Sequence, residues 1–508
     1  MVKQIFNPYL PSWEYIPDGE PHVFGDRVYV YGSHDLANGW AYCLGDYVCW
    51  SASIYDLKEW RFEGVIYKKN QDPIFNGKMV MYAPDVTKGP DSRYYLYYVY
   101  DKLGIVSVAV CDTPAGKYEF YGYVHYKDGT RLGERKGDIP QFDPGLITEG
   151  EKTYLYTGFC PNRNTQRIGA MVTILGKDMV TIEEEPRVFI PGIEYVLPKE
   201  ETISKLNKSI EETGCPYKMV DVDNWENYNG YAFFEASSIR KVDDTYYFIY
   251  SSRPENNELV YATSKSPTEG FTFRGVIVSN CDININTYKP ANMRSYYSGN
   301  NHGGIEKING EWYIFYHRHT NTTPFSRQAC AEKIKMEQDG SIAQVEITSC
   351  GLNGGPLLGK GEYPAYIACH LFTDDGNKTS QDKVLKITQW GLDGEDGNPV
   401  EGVENAELTS YITGIRNNAV IGFKYFDFKD VKKVTVKTRA YLHGYFEVRT
   451  QWDGPVLGKI IIEGDGDYSN FWEEHSADIS IPDGVSAFYL KYIKNGNEGG
   501  HLLSIKFE

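Results

Sequence analysis

Five short tyrosine-rich runs recur along the first two thirds of this 508-residue chain, and they restrict its fold more than any other feature. Each has a charged or turn residue followed by tyrosines that alternate with aliphatic residues, a pattern typical of a strand after a tight turn. The runs are DRVYVYGS (26–33), SRYYLYYV (92–99), EKTYLYTG (151–158), DTYYFIYS (244–251) and GEWYIFYH (310–317). Recurrence of one supersecondary unit predicts an all-β repeat architecture. The unequal spacing indicates insertions between units, such as the charged, loop-like segment near residues 195–228.

A polar residue stands ten to twelve residues before one tyrosine of each run. In chain order these residues are Asp18, Asp85, Asp143, Glu235 and His302. In a β-propeller, equivalent positions on successive blades meet at the central axis. The matching offsets therefore predict a five-bladed β-propeller with a ring of polar groups at one end of its axis. Glu20 is an alternative to Asp18, because residues two apart on a strand share a face.

Three convergent carboxyl groups, those of Asp18, Asp143 and Glu235, suit the hydrolysis of a glycosidic bond. A protonated carboxyl assists the leaving group, while an ionised one activates water or attacks the sugar. A third acid nearby raises the pKa of the proton donor and keeps it protonated near neutral pH. An Asp before a turn can instead cap or kink the chain. The five coinciding offsets favour the catalytic interpretation.

The order of several short motifs resembles glycoside hydrolase family 43. They are the segment around Asp18 with its continuation GDRVYVYGSHD, APDV (83–86), FDPG (142–145), FFEASSIRK (233–241), and NNHGGI (300–305) followed by WYIFYHR. The resemblance covers residues 7 to about 345 and implies an inverting, five-bladed-propeller enzyme acting on arabinose- and xylose-containing polysaccharides. Family members commonly have Asp-Pro at the general base, whereas Gly19 follows Asp18 here.

The resemblance implies a role for each of the three acids. Asp18 becomes the general base that activates water, and Glu235 becomes the general acid that protonates the departing oxygen. Asp143 becomes the acid that orients the donor and tunes its pKa. Asp85 receives no role in proton transfer, so a structural or subsite role is expected for it.

The resemblance also implies two further site residues. His302, in the NNH-like motif, is expected on the axis near a calcium ion or its waters, and a metal-free, hydrogen-bonded histidine is the alternative. Arg327, in FSRQ, is expected near the sugar, and a salt bridge at the rim is the alternative. No cofactor is expected to be required, and a structural calcium ion is compatible with this pattern.

The Gly/Pro-dense stretch GLNGGPLLGKGEYPAY (351–366) indicates a boundary between a catalytic domain over residues 1–355 and a second domain over 366–508. The last third has short strands between DG, NG and GD turns, which is typical of a β-sandwich. The segment VIGFKYFDFKDVKKVTVK (420–437), with the later HGYFEVRT (443–450), resembles the jelly-roll carbohydrate-binding modules of family 6. Trp452, Trp472 and Tyr489 are a candidate sugar-stacking platform, although packing against the propeller is the favoured role.

Composition limits the partners of the chain. The net charge of −17, without a dense Lys/Arg run, argues against nucleic acid. Residues 1–20 lack a signal-peptide pattern and no apolar run has membrane-spanning length, so a cytoplasmic protein without a membrane partner is expected. Nine scattered cysteines without CxxC pairs indicate reduced, mostly buried thiols. An oligosaccharide is the expected partner, and the oligomeric state is open.

The sequence thus predicts an inverting, exo-acting hydrolase that releases terminal α-L-arabinofuranose or β-D-xylose from plant-derived oligosaccharides, as in xylan degradation. The alternatives are a β-D-galactofuranosidase on the same scaffold and a non-catalytic sugar-binding propeller. A retaining fructan-cleaving propeller is disfavoured, because the Asn-Asp-Pro-Asn motif is absent. A Ser-His-Asp triad in GSHD (32–35) is also disfavoured, because adjacent strand residues point to opposite faces and no GxSxG elbow is present.

Overall fold

The computed structural model describes residues 3–37, 39–160, 168–192, 198–252, 258–321, 323–373, 385–389, 410–463 and 469–508. Strands dominate these residues, and the predicted all-β class is confirmed. The first twenty strands form five sheets that follow one another along the chain, antiparallel apart from the short β13.

The strands of the five sheets have the following bounds. They are β1 Glu20–Phe24, β2 Arg27–Tyr31, β3 Tyr47–Ser53 and β4 Asp56–Tyr67; β5 Asp85–Lys88, β6 Tyr94–Tyr98, β7 Ser107–Cys111 and β8 Glu119–Tyr123; β9 Gly145–Glu149, β10 Lys152–Thr157, β11 Gly169–Leu175, β12 Ile182–Pro191 and β13 Lys218–Met219; β14 Phe233–Val242, β15 Thr245–Ser252, β16 Leu259–Ser264 and β17 Thr272–Val278; and β18 Ile305–Ile308, β19 Glu311–His319 and β20 Arg327–Ile334.

The five tyrosine-rich runs form the second strand of each sheet, namely β2, β6, β10, β15 and β19, so this strand prediction is confirmed. Most tyrosines of these strands are buried on both faces of the sheet. Their hydroxyl groups reach partners across the core: Tyr98 donates to Asp72 Oδ2 (2.7 Å) and Tyr97 to the carbonyl of Met179 (2.5 Å). A ring that fills the space between sheets and carries a polar tip explains why tyrosine recurs here.

The first strands of the five sheets surround one common centre. The contacts that connect them are, in order, His22 Nε2 to Asp85 Oδ1 (2.6 Å), the Leu146 N–H to Asp85 Oδ2 (2.7 Å), Gly145 against Ser237, Arg240 Nε to Glu306 Oε2 (3.1 Å), and a parallel bridge between Gly303 and Gly19. The backbones approach so closely that a Cβ at Gly145 would lie 2.4 Å from the Ser237 carbonyl oxygen. Residues at the start of each first strand therefore share this centre.

Helical structure is sparse among the described residues. It comprises α1 (Lys199–Thr213) and the 3₁₀ turns Lys69–Gln71, Val222–Tyr228, Gly351–Asn353 and Ala365–Ile367. The sequence predicts a loop near residues 195–228, of which 195–197 lie outside the described residues. The prediction is wrong for the rest, because α1 begins at Lys199 and is followed by β13 and the 3₁₀ turn Val222–Tyr228. Charges four residues apart form pairs on this helix, Glu201 with Lys205 and Lys208 with Glu212, rather than solvating a loop. No described helix is long and apolar enough to cross a membrane.

The last twelve strands form two further sheets, ordered β21-β26-β31-β28-β29 and β24-β25-β32-β27-β30, with β23 beside β26 and β22 beside β32. Their bounds are β21 Leu357–Leu358, β22 Gly361–Pro364, β23 His370–Phe372, β24 Lys386–Gln389, β25 Ser410–Ile415, β26 Val420–Phe428, β27 Lys433–Ala440, β28 Gly444–Arg449, β29 Gly458–Ile462, β30 Ser469–Asp478, β31 Gly484–Lys494 and β32 Gly500–Phe507. Aromatic rings join the two sheets: Phe507 packs against Phe426 (5.1 Å) and Phe488 (4.9 Å).

The last two sheets share a continuous hydrophobic core with the fourth and fifth sheets. A buried charge network crosses the same boundary. The ammonium group of Lys424, in β26, lies 2.9 Å from Asp282 Oδ2, 3.2 Å from Glu346 Oε2 and 3.6 Å from the centre of the Tyr288 ring. Lys424 is fully buried, so its charge depends on these three partners.

We expect Lys424→Met to lower the free energy of unfolding by about 3–5 kcal/mol, because two carboxylates lose a buried cation. Urea unfolding followed by tyrosine fluorescence would measure the change. The exposed Lys429→Met, five residues along the same chain, is the matched control and is expected to change the free energy of unfolding by under about 0.5 kcal/mol. Equal effects of the two substitutions would contradict the proposed importance of the network.

The three aromatic residues of the predicted sugar platform do not form one surface. Tyr489 lies on β31 and Trp472 on β30, which belong to different sheets. Trp452 stacks on His370 (4.1 Å, 20°) and meets Tyr489 edge-on (6.1 Å). The prediction that all three rings form one platform is wrong, because Trp472 lies in a different sheet from Tyr489, which Trp452 contacts.

Candidate active site

The three predicted acids lie together at one end of the common centre. Asp18 and Asp143 each stand two residues before a first strand, in left-handed backbone conformations (φ 58° and 44°) that Asp tolerates. Glu235 is the third residue of β14, where the pairing with β15 shifts register and Ala236 has φ 69°. Such a bulge redirects a side chain at the end of a strand. It also brings the Ala236 N–H to Asp143 Oδ2 (3.1 Å), next to Glu235.

Asp18 is surrounded by hydrogen-bond donors. Its Oδ1 accepts from Arg327 Nη1 (3.0 Å), and its Oδ2 accepts from the Ser33 hydroxyl. The Arg327 guanidinium is held in turn by both carboxylate oxygens of Asp35 (2.7 and 3.0 Å). Burial acts to raise the pKa of Asp18, but the charge of Arg327, together with the hydrogen bond from Ser33, outweighs burial and lowers the pKa. Asp18 is therefore an ionised carboxylate at neutral pH.

Asp143 and Glu235 form a second, differently charged group. Burial, reinforced by the charges of Glu235 and Asp18, raises the pKa of Asp143 well above its usual value. Two close carboxyls share a titration, so the Asp143–Glu235 pair retains a proton at a pH where Asp18 has lost its own. Glu235 is the more exposed member of this pair.

Two histidines line the same region in their neutral forms. His317 Nδ1 accepts from the Asp18 N–H (3.2 Å), so its proton is on Nε2, which donates to the carbonyl of Asn300 (2.8 Å). Burial lowers the pKa of His317 to about 3 and that of His302 to about 4. His302 Nδ1 lies 3.7 Å from Asp143 Oδ2, which places His302 at the centre as predicted.

A second polar layer lies deeper along the same strands. Asp85 was predicted in the ring with Asp18, but it is the first residue of β5 and contacts His22 instead. Its offset, one residue shorter than that of Asp18, accounts for the deeper position. Glu20 belongs to this layer too, where Oε2 accepts from Ser238 (3.0 Å) and pairs with Arg240 (3.2 Å).

The second layer includes a candidate metal site. Ligand atoms of Glu20, His22 and Asp85 lie within 4.8 Å of one another. Both oxygens of Asp85 already accept hydrogen bonds, however. Among the residues that the structure describes, two of the buried atoms without a hydrogen-bond partner are Glu20 Oε1 and His302 Nε2, which lie 3.8 Å apart. This pair fits a cation that keeps most of its water molecules, or a single bridging water.

Aromatic rings border the acids. The Tyr42 ring lies 4.8 Å from the Arg327 guanidinium and 4.6 Å from the ring of Phe325. On the other side a series of rings follows the chain neighbours of Asp143 and Glu235. It runs from Tyr82 to Phe142 (4.9 Å), Phe159 (4.8 Å) and Phe234 (5.4 Å). Such rings suit the apolar faces of a sugar.

Comparison with known proteins identifies the family. The model of glycosyl hydrolases family 43 matches residues 21–342. A xylosidase/arabinosidase from Thermoclostridium stercorarium is 57% identical over 505 residues, 98% of each chain. The chain belongs to glycosyl hydrolases family 43. The matched range of this family 43 glycosidase begins just after Asp18 and includes Asp143, Glu235, His302 and Arg327.

More distant relatives cover about two thirds of the chain. A xylosidase/arabinosidase from Bacteroides ovatus is 25% identical over 372 residues, 66% of this chain and 97% of its own. A β-xylosidase/α-arabinofuranosidase from a compost metagenome, solved with xylotriose in a calcium-free form, is 22% identical with a TM-score of 0.46, covering 66% and 96% of the two chains.

Sequence reasoning missed several site residues of this family 43 glycosidase. Ser33, Asp35, Tyr42 and His317 all support Asp18 or Arg327 in the structure. Ser33 and Asp35 lie in the GSHD segment, and His317 lies in WYIFYHR, so both motifs already contained residues of the site. Their partners are far away in the chain, so only coordinates connect them.

We expect Ser33→Ala to move the acidic limb of the kcat/KM profile upward by about one pH unit, because a hydrogen bond to a carboxylate contributes roughly 1.5 kcal/mol. A general base, the role expected for Asp18, must be ionised, so the depressed pKa of Asp18 places that limb below the ordinary range of Asp, and loss of a donor raises it. Ser53→Ala, at the far end of β3, is the control. An unchanged limb in Ser33→Ala would contradict the assignment.

Proposed function

We propose that this protein is an inverting, exo-acting glycoside hydrolase that releases a terminal α-L-arabinofuranose or β-D-xylose from plant-derived oligosaccharides, as in xylan degradation. The observation that carries this proposal is the division of charge at one centre. Asp18 is held ionised by Arg327 and Ser33, while the Asp143–Glu235 pair retains a proton. The pentose class is supported by the name of the Thermoclostridium relative.

We infer that the first five sheets are the blades of a five-bladed propeller and that the last two form a jelly-roll β-sandwich. The ring of contacts between first strands supports the propeller, and the rings packed around Phe507 support the sandwich. The proposed domains are residues 1–355 and 366–508. Between them, β21 and β22 pair with the last two sheets, so the connecting stretch belongs with the sandwich. A packing role for the sandwich is favoured by the shared core.

In the proposed reaction, Asp18 removes a proton from a water molecule as its oxygen attacks the anomeric carbon. Glu235 donates its proton to the departing glycosidic oxygen, so the bond breaks without forming an alkoxide. The sugar product leaves with inverted configuration, Asp18 is left protonated and Glu235 ionised, and exchange with solvent restores both. Asp143, hydrogen-bonded to the Ala236 N–H, fixes the bulge that directs Glu235 and keeps a proton on the pair.

Arg327 acts in this mechanism mainly on the general base. Its contacts with Asp18, Asp35 and Cys43 use four of the five guanidinium N–H groups. One Nη1 hydrogen is left for a sugar hydroxyl, consistent with the predicted substrate contact. The bidentate pair with Asp35 holds the guanidinium, and therefore the charge beside Asp18, in one place.

The side-by-side hydrolysis of nitrophenyl arabinofuranoside, xyloside and galactofuranoside tests the proposed sugar. We expect turnover of the first two and little of the third; preference for the galactofuranoside would favour the alternative enzyme. Proton NMR of the first-formed anomer tests the stereochemistry. Retained configuration would exclude Asp18 as a general base, and sugar binding without turnover would leave the non-catalytic alternative.

We propose that a calcium ion is accommodated, without being required, at His302 Nε2 and Glu20 Oε1, with water completing its coordination. A bound cation supplies fixed positive charge at the centre, which favours the ionised form of nearby carboxyls. The burial and the neighbouring Asp85 that raise the pKa of Glu20 to about 8, despite Arg240, indicate a place where added positive charge is favourable.

Calcium is expected to raise the melting temperature of EGTA-treated protein by a few degrees, since a ligand that binds only the folded state stabilises it. His302→Ala should abolish the increase while His475→Ala, in β30, should retain it. Scanning calorimetry with and without millimolar calcium would measure both. An identical increase of the melting temperature in the two variants would show that calcium binds at another site.

A further inference from the structure

The GSHD segment directs neighbouring side chains to opposite sides. Ser33 donates to Asp18, and Asp35 holds Arg327, so both belong to the site already described. His34, between them, takes no part in either contact. Its ring packs instead against the segment before β1 and the chain just before β3.

Both ring nitrogens of His34 face hydrogen-bond acceptors. Nδ1 lies 2.9 Å from the carbonyl oxygen of Asp46, and Nε2 lies 3.0 Å from Glu14 Oε1. A carbonyl cannot donate, and the Glu14 carboxylate itself accepts from Trp50 Nε1 (2.9 Å) and the Tyr15 N–H (3.2 Å). Both contacts are hydrogen bonds at once only when the imidazole carries two protons.

The surrounding charges favour this doubly protonated form. Burial lowers the pKa of His34, but the charge and hydrogen bond of Glu14, the Asp46 carbonyl and the charge of Asp35 together raise it above 6.5. The Asp46 side chain accepts from the Lys69 N–H (3.0 Å), and Lys69 Nζ donates to Leu44 O (2.5 Å). Facing His34 are therefore the acids Glu14, Asp35 and Asp46, with Lys69 beyond Asp46.

The chain between Asp35 and Gly45 is referred to here as the rim segment. His34 lies directly before this segment and contacts its other end at Gly45. The Gly45 N–H donates to the His34 carbonyl (2.8 Å), and the ring lies so close that a Cβ at Gly45 would be 2.5 Å from Nδ1. The rim segment carries Tyr42 onto Arg327, and the Cys43 N–H donates to Asp35 (2.9 Å). Trp40, within it, is 79% exposed.

We propose that His34 is a positioning residue that, as an imidazolium, fastens the rim segment across Glu14 and Asp46 and so keeps Tyr42 over Arg327 beside the sugar. A neutral imidazole donates through one nitrogen only, so loss of a proton releases either the Glu14 or the Asp46 contact. Because the bound proton stabilises this arrangement, the fastening is complete below pH 6.5 and is lost as pH rises through the raised pKa of His34. The activity consequence rests on the proposed function, and the structural consequence does not.

The protonation state is tested without any substrate. In ¹⁵N-histidine-labelled protein, with His34 identified by its absence from His34→Gln, we expect both ring nitrogens of His34 to carry protons at pH 6.5. Amide exchange of Gly45 and Cys43, corrected for intrinsic rates, is expected to accelerate at least several-fold between pH 6.5 and 9. A single-proton tautomer at pH 6.5, or pH-independent protection, would overturn the proposal.

Glu14→Gln tests the consequence for the site. A glutamine amide donates to Nε2 of a neutral imidazole whose Nδ1 proton stays on Asp46, so this variant is fastened at every pH. We expect the wild-type KM to rise several-fold from pH 6.5 to 9, and the KM of Glu14→Gln to stay flat. The exposed Glu59→Gln should retain the wild-type rise. A rise in the KM of Glu14→Gln equal to that of wild type would refute the inference. Absence of turnover in every variant would count against the proposed function, and the protonation state of the His34 ring nitrogens would then decide whether the inference holds.

Discussion

Replacing Asp18 with Asn is expected to lower kcat by about 10³-fold or more, because the amide cannot take a proton from water. The loss should be equal for nitrophenyl pentosides and for pentose oligosaccharides, since attack of the activated water belongs to the single displacement that expels either leaving group. Steady-state kinetics on both substrates would measure it. The amide oxygen can still accept from Arg327, and the NH2 group that replaces Oδ2 can donate to the Ser33 hydroxyl oxygen, so the site is expected to remain folded.

Asp26→Asn is the matched control for Asp18→Asn. Asp26 is exposed in the turn between β1 and β2, eight residues from Asp18, and the same chemical change there should leave kcat within twofold. Melting temperatures of both variants separate a catalytic loss from an unfolded protein. Wild-type activity of a folded Asp18→Asn variant would remove Asp18 from the mechanism and make Glu20 the acid to test next.

Replacing Glu235 with Gln is expected to separate the two substrates. Oligosaccharides need protonation of the departing oxygen, so their kcat should fall by about 10³-fold, whereas nitrophenolate leaves without a proton and its release should fall about tenfold or less. The ratio of the two losses is the measurement, because a merely damaged site would lower both rates equally.

Glu269→Gln, an exposed residue just before β17, serves as the control for Glu235→Gln and should change neither rate. Equal losses on both substrates in Glu235→Gln would contradict its role as proton donor. Full activity on oligosaccharides would transfer that role to Asp143, the other member of the protonated pair.

The sequence predicted the second strand of each of the five sheets, because alternation of tyrosine with aliphatic residues is a local pattern that burial on both faces then reinforces. It also predicted that Asp18, Asp143 and Glu235 share one region, because similar offsets in a repeat give similar depth, and the bulge in β14 accommodates the extra residue in the offset of Glu235. Asp85 shows the limit of that reasoning, since one residue along a strand changes both depth and face.

What the sequence could not supply were contacts between distant segments. The acceptors around His34, the pairing of Arg327 with Asp35 and the bulge at Glu235 depend on how strands are placed, and no local spacing encodes them. The helix Lys199–Thr213 was missed for a different reason: its charges resemble those of a solvated loop, and the packing of Leu206 and Ile210 against the core distinguishes the two. The prediction of a sugar platform was wrong because the order of strands within a sheet, unlike the position of a strand in the chain, is not set by the local sequence.

The continuous core between the fourth and fifth sheets and the last two bears on any attempt to make a smaller enzyme. Cutting the chain near residue 355 would leave Ile277, Tyr297 and Ile347, now buried, facing water without their partners, together with Asp282 deprived of Lys424. A truncated catalytic fragment would then be prone to aggregation, whatever the state of its acids. Shortened versions for biomass conversion would need a redesigned surface at this junction rather than a new stop codon alone.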